Sequence, residues 1–195
     1  SSSKSIILPY GSGNLQNIPP EARKMYAAPE GYVIVQGDYI QAEAVLVAYF
    51  IHDVALMNMF KKSFGMTAKE RQENGYDVHR YTASTMFGIP PQEVTKAQRA
   101  VGKTLRHAVN YSAGPKVIAN KLQCDMTTAR KLLDIYMAAN PNLKTWHTQI
   151  RDKLAIDKTL ETPLGRKHRF TERWGDNLFR SAYAYMPQST VGDML

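Results

Sequence analysis

Between residues 53 and 157 the chain marks the ends of its own helices, and this confines the fold more than any other feature of the 195 residues. "DVALMNMFKKSF" (53–64) opens on an Asp and carries its lysines late, which suits the helix dipole. "DVHRYTASTMFG" (77–88) offers Asp77 as N-cap and Gly88 as C-cap. "TKAQRAVGKTLRHAVNY" (95–111) starts at a capping Thr95, "DMTTARKLLDIYMAANP" (125–141) is stopped by Pro141, and "NLKTWHTQIRDKLAID" (142–157) follows. Less regular segments flank this helical stretch. Residues 1–20, rich in Ser, Gly and Pro, read as loop. "YVIVQGD" (32–38), bounded by Gly31 and Gly37, reads as a strand that gives way from Gln41 to a buried, Ala- and Leu-rich helix. "TLETPLGRKHRF" (159–170) reads as a hairpin around Pro-Leu-Gly, and residues 176–195 as a last helix broken at Pro187. The predicted class is α+β, mostly helical.

Composition narrows the function. Hydrophobic residues are 44% and charged residues 22%, as in a globular domain. The longest apolar run, "AVLVAYFI" (44–51), is too short to span a bilayer, and no signal pattern opens the chain. A single cysteine, Cys124, excludes an internal disulfide framework and a Cys-rich zinc site. The expectation is a reduced, intracellular protein that is neither secreted nor membrane-bound. The first residue is Ser and the last five are "VGDML", with no stop signal, so a piece of a longer polypeptide is expected.

The net charge is +8, and residues 96–131 hold eight Lys or Arg against one acid, Asp125. Such clustering is the footprint of a phosphate-bearing partner, although a solvated basic face would look the same in sequence. On a helical wheel with Arg99 at zero, Arg106 falls at about −20°, Asn110 at about 20°, Lys103 at about 40°, His107 at about 80° and Tyr111 at about 120°. Val101, Leu105, Ala108 and Val109 fall between about 180° and 280°, which predicts a polar, basic side and a core side. Arg99 and Lys103 are like charges at i,i+4, which oppose the helix unless an anion offsets them. Adjacent phosphates of a triphosphate would do so.

"DYIQAE" (38–43) sets Asp38 at the end of the predicted strand and Glu43 on the following helix. A carboxylate beside apolar strand residues needs a partner. Mg²⁺, which takes one or two carboxylates plus substrate phosphates, would serve, and so would a helix cap. Two metals require a second acid, and Asp193 qualifies by residue type only, since a helical Asp near the chain end is more often a surface residue.

"NLQNIP" (14–19), "DYIQAE" (38–43), "RAVGKTLRHAVNY" (99–111), "TPLGRKHRF" (162–170) and "MPQSTVGDML" (186–195), in this order and at roughly this spacing, resemble the polymerase domain of DNA polymerase I-type, family A enzymes. The resemblance implies a right-hand polymerase architecture: a palm portion over 1–53, helical fingers over 54–175, and a return to the palm over 176–195. It implies template-directed transfer of dNTPs to a primer 3′-OH with two Mg²⁺ ions. Asp38 and the Tyr39 carbonyl match metal ligands. Arg99 and Lys103 match the triphosphate-binding pair, and His79 matches a His that contacts phosphates. Glu43 matches the glutamate under the incoming sugar, with Gln41 the polar residue before it, and Tyr111 matches the Tyr near the nascent base pair. Gln16, Asn17, Arg180 and Gln188 match residues that touch primer and template in the minor groove. The implied partners are primer–template DNA, dNTP and the remainder of the polymerase polypeptide, in a bacterial cytoplasm or a virus-infected cell.

The second metal-binding carboxylate of the family lies in a later hairpin, and the chain stops before it, so these residues alone should not polymerise. His107 stands where Phe, Tyr or Leu is usual, and the resemblance implies that this position influences discrimination at the sugar 3′-position. Ser112 stands where Gly is usual, and Ile40, Ala42 and Ala184 also depart from the pattern. A single-subunit RNA polymerase shares the Asp strand and the Lys-to-Tyr helix, but Glu43 and "NLQNIP" argue against it. A non-catalytic nucleic-acid-binding module would have no purpose for the paired Asp38 and Glu43.

Overall fold

A computed structural model describes residues 20–34 and 41–194. The chain divides into two compact units, 1–39 and 40–195. In the first, a single turn of helix α1 (Pro20–Arg23) leads into turns, and Tyr32, Val33 and Ile34 are exposed and irregular. The rest of the predicted strand, including Asp38, lies outside the described residues, as do Gln16, Asn17 and Tyr39.

The second unit opens with α2 (Ala42–Phe50), entered through Gln41 in the left-handed region at φ 58°. Helix α3 (Val54–Lys62) is capped by Asp53, whose carboxylate accepts from the Leu56 N–H at 2.9 Å. Helices α4 (Ala68–Glu73) and α6 (Lys96–Asn110) each begin with a capping box, Thr67 with Glu70 and Thr95 with Gln98. Between them α5 (Val78–Phe87) runs from Asp77 to Gly88, which ends it at φ 66°. Helix α7 (Pro115–Leu122) precedes α8 (Met126–Ala139), and Pro141 both blocks continuation of α8 and serves as first residue of α9 (Pro141–Asp157). Strands β1 (Thr159–Glu161) and β2 (Lys167–Arg169) pair antiparallel, Leu160 opposite His168. The described residues thus form a mostly helical α+β structure. The short α4 and α7 escaped the sequence reading.

One expectation is corrected. Helix α10 (Asp176–Asp193) runs through Pro187 without a break. Proline removes one backbone donor, but Leu178, Ala182, Tyr183, Met186 and Pro187 itself are all buried, and that packing outweighs the missing bond. The main core joins α2, α6, α8, α9 and α10 through Val47, Leu105, Tyr136, Leu143, Trp146 and Tyr183. A smaller cluster of Ala48, Leu56, Met59 and Val78 seats α5 on α2 and α3.

Helices α5 and α6 cross closely because Gly102 has no side chain. A Cβ there would lie 2.4 Å from the His79 carbonyl oxygen and 2.9 Å from the Ala83 nitrogen. Farther along, Asp193 accepts from the Thr162 hydroxyl at 2.7 Å and from the Arg166 guanidinium, tying the end of α10 to the hairpin. Its side chain is only 9% exposed, so it is a structural clamp and not the surface residue expected. These bonds hold its carboxyl below the ordinary range, Thr162 first, then Arg166 against the opposing effect of burial.

Candidate functional site

The polar side of α6 is built differently from the wheel. Arg99 does not point freely outward: its Nε and Nη2 donate to Asp77 Oδ2 at 3.1 and 2.8 Å. Asp77 Oδ1 meanwhile accepts from the backbone N–H groups of His79 and Arg80, each at 2.9 Å. One carboxylate therefore caps α5 and orients the Arg99 guanidinium, and Nη1 has no hydrogen-bond partner among the described residues. Burial alone would raise the Asp77 pKa, but the bonds from Arg99 and Arg80 and the Arg99 charge outweigh it and hold the carboxyl below its usual range. The anion that relieves the Arg99–Lys103 repulsion is thus in the chain itself. Lys103, one turn on, is exposed and makes no hydrogen bond or ion pair among the described residues.

Arg106 and Asn110 depart from the wheel reading altogether. Arg106 is 3% exposed and Asn110 5%. Arg106 Nε donates to Thr82 Oγ1 at 2.9 Å, its guanidinium lies 5.8 Å from the Tyr136 ring centroid, and Nη1 is buried without a partner among the described residues. Asn110 Oδ1 accepts from the Tyr136 hydroxyl at 2.8 Å. The physical reason is α8, which packs on both α5 and α6 and covers that part of the arc.

His79 sits among these charges. Burial pushes its pKa down; Asp77 opposes this, but Arg99, Arg106 and Lys103 add to it, and the result is about 4. Its Nδ1 is buried without a hydrogen bond among the described residues. The α5–α6 crossing therefore sets a neutral imidazole among three cations, Arg99, Lys103 and Arg106, and one carboxylate, Asp77, an excess of positive charge suited to an anion.

At the other end of α6 the predicted residues meet. The Tyr111 hydroxyl donates to Glu43 Oε2 at 2.6 Å. His107 Nδ1 lies 3.8 Å from the same oxygen, and its ring stands edge-on to Tyr111 at 5.0 Å. The exposed Gln188 side chain, from α10, lies close enough to Tyr111 to act on its hydroxyl. Burial and then the Glu43 contact push the Tyr111 pKa well up, so the phenol stays protonated and donates. Glu43, His107, Tyr111 and Gln188 are thus one junction of α2, α6 and α10. Arg180 is exposed on α10, eight residues or about 12 Å of helix before Gln188. Gln41 is half-buried at the entry to α2. Immediately after Tyr111, Ser112 holds the left-handed conformation at φ 59°.

Among the described residues no three His, Cys, Asp or Glu side chains gather as metal ligands. Asp38, which carries that expectation, lies outside them. Sequence reasoning missed the second task of Asp77 and the burial of Arg106. The signal for the latter was present: Gly102 falls at about 300° on the wheel, beside Arg106 at about 340°, and a helical glycine marks a close approach.

Residues 8–194 match DNA polymerase family A. The chain belongs to DNA polymerase family A. It is 28% identical over 190 residues to DNA polymerase I of Aquifex aeolicus, covering 93% of this chain and 30% of that protein. It is 32% identical over 165 residues to DNA polymerase I of Chloroflexus aurantiacus, covering 82% of this chain and 15% of that protein. A solved structure of the POL domain of Pol1 from M. smegmatis, in complex with DNA primer-template and dNTP, superposes with a TM-score of 0.74 over 93% of this chain and 32% of that chain, at 23% identity. That likeness shows the family A fold. The chain spans less than a third of the length of these relatives. No helix among the described residues is long and apolar enough to cross a membrane.

Proposed function

We propose that this chain forms the nucleotide-receiving part of a DNA-directed DNA polymerase. Lys103 and the Nη1 of Arg99 hold the triphosphate, with His79 beside them. Glu43 lies under the sugar and disfavours a 2′-hydroxyl, and Tyr111 borders the forming base pair. Gln188 and Arg180 of α10, with Gln16 and Asn17, face primer and template in the minor groove. The observation that carries this reading is the 2.6 Å bond from Tyr111 to Glu43, because it joins the helix bearing the cations to the helix bearing the sugar-sensing carboxylate.

The positions fit template-directed transfer from a dNTP to a primer 3′-OH. Arg99 and Lys103 neutralise charge that develops on the departing pyrophosphate. Mg²⁺, when bound by Asp38 and the Tyr39 carbonyl together with a carboxylate from elsewhere in the polypeptide, supplies charge stabilisation at the attacking and leaving oxygens. The arrangement of residues 1–53 and 176–195 as palm and 54–175 as fingers belongs to this reading, as does the bacterial cytoplasm as its compartment, since the relatives named above are bacterial. The other partner is primer–template DNA, held chiefly through its backbone and therefore in a salt-dependent manner.

Primer extension by the full-length protein tests the reading. Lys103→Ala should raise the apparent KM for dNTPs or lower kcat while leaving primer–template affinity intact; if neither constant moves, Lys103 does not hold the triphosphate. Asp38→Ala should abolish extension and spare DNA binding. Preference for ribonucleotides would instead favour an RNA polymerase.

A further inference from the structure

Tyr111 is held at its hydroxyl by Glu43, with Gln188 close by, but its backbone must be held as well. It follows Asn110, the last residue of α6, whose carbonyl has no acceptor role within the helix. His147 of α9 supplies the missing donor: its Nε2 lies 2.9 Å from that carbonyl oxygen, so Nε2 carries the proton and donates. A His at a helix C-terminus suits both the free carbonyl and the dipole. The same imidazole stacks on the Tyr183 ring, with centroids 3.9 Å apart and planes 22° from parallel. Tyr183 in turn is fixed by Arg151, whose Nε donates to its hydroxyl at 2.7 Å. Tyr183 lies on α10 five residues before Gln188. One side chain from α9 therefore touches two of the three elements that converge on Tyr111.

We propose that His147 is a positioning residue for the nucleotide site, setting Tyr111 by donating to the Asn110 carbonyl and setting α10, hence Gln188, by stacking on Tyr183. This rests on the reading of the Glu43–Tyr111 junction as the sugar and base pocket. The hydrogen bond fixes where α6 ends, and the stack fixes how far α10 stands from it. Loss of either lets the Tyr111 hydroxyl drift from Glu43, and Glu43 then loses its fixed place under the sugar.

Two substitutions separate the contacts. His147→Phe keeps a ring against Tyr183 and removes the donor. His147→Gln keeps a donor at about the reach of Nε2 and removes the ring. In the full-length protein, His147→Phe should raise the KM for dNTPs about three- to tenfold, the effect of losing one hydrogen bond. It should also narrow the preference for deoxy- over ribonucleotides, with kcat changed little and the thermal midpoint lowered by a few degrees. His147→Gln should recover most of the KM. Lys103→Ala, in contrast, should change KM and leave the sugar preference alone. An independent readout uses no activity: the Tyr111 ring resonances in protein labelled at tyrosine, assigned by Tyr111→Phe, should shift in His147→Phe and return toward the wild-type position in His147→Gln. Unmoved Tyr111 resonances overturn the proposal whatever the activity shows, as does an unchanged sugar preference in an enzyme that extends primers. Shifted resonances in the variants of a protein whose wild type extends no primer would support the positioning role and overturn the polymerase reading instead.

Discussion

Asp77 performs two tasks, and substitution can take them apart. Its Oδ1 caps α5 through the N–H groups of His79 and Arg80, and its Oδ2 receives two donors from Arg99. Asn at this position keeps an oxygen for the cap but turns an amide NH₂ toward the guanidinium, donor against donor. The side chains of Asp77 and Arg99 are 12% and 35% exposed, so their contact is screened less than a surface pair and more than a buried one. Losing it should cost about 1–2 kcal/mol, between the usual values for exposed pairs and for charged hydrogen bonds. The Arg99–Lys103 repulsion, no longer offset, adds roughly 0.3 kcal/mol. Ala removes the cap too, for about 1 kcal/mol more. Urea unfolding at neutral pH, followed by far-ultraviolet circular dichroism, should therefore rank wild type above Asp77→Asn and Asp77→Ala lowest. Arg99→Gln, which also removes the repulsion, should cost slightly less than Asp77→Asn, and the double variant little more than either. The Asp77 carboxyl is held low in the folded chain, so its share of stability is present above the ordinary carboxylate pKa and lost as the pH falls through its folded value. Equal stability of Asp77→Asn and wild type would show that Arg99 gains nothing from Asp77. Equal losses in the Asn and Ala variants would show that Asn had not preserved the cap, and would refute the division of tasks.

Three further outcomes follow from single residues. His79 has a folded pKa of about 4 against an ordinary value of 6.5, so folding disfavours its charged form; stability should decline as the pH falls from about 6.5 to about 4, by at most ~2 kcal/mol after solvent screening, and His79→Gln should flatten that stretch of the urea-midpoint profile. Gly102→Ala adds a methyl against the His79 carbonyl and the Ala83 nitrogen; although Ala gains about 1 kcal/mol in helix propensity, overpacking against backbone should leave a net loss of about 1–2 kcal/mol, and an unchanged or higher melting temperature would contradict the close crossing. Ser112 occupies φ 59°, where Gly carries no steric cost, so Ser112→Gly should stabilise by roughly 0.5–1 kcal/mol, read as a rise of about 2 °C in the thermal midpoint.

What sequence could show depended on the range of the interactions. Caps are local, and Asp53, Asp77, Thr95, Asp125 and Gly88 all stand where local chemistry put them. The hairpin was equally legible, because a turn between β-branched runs needs no distant partner. The helix wheel failed at Arg106 and Asn110 for the opposite reason: it divides a helix into two sides, whereas α6 is covered on more than one by α5 and α8. A charged residue at the margin of an apolar arc is then buried or exposed according to a neighbour that lies tens of residues away. Pro187 failed in the same way, since a local breaker yielded to the packing of a buried helix. The candidate site lies between these cases. Resemblance named Glu43, His107, Tyr111 and Gln188 separately, but only the fold brings α2, α6 and α10 together around one phenol. The residues that hold this junction from behind, His147 and Tyr183, belong to no motif. They act through a carbonyl and a ring face, and neither leaves a pattern that spacing along a chain could show.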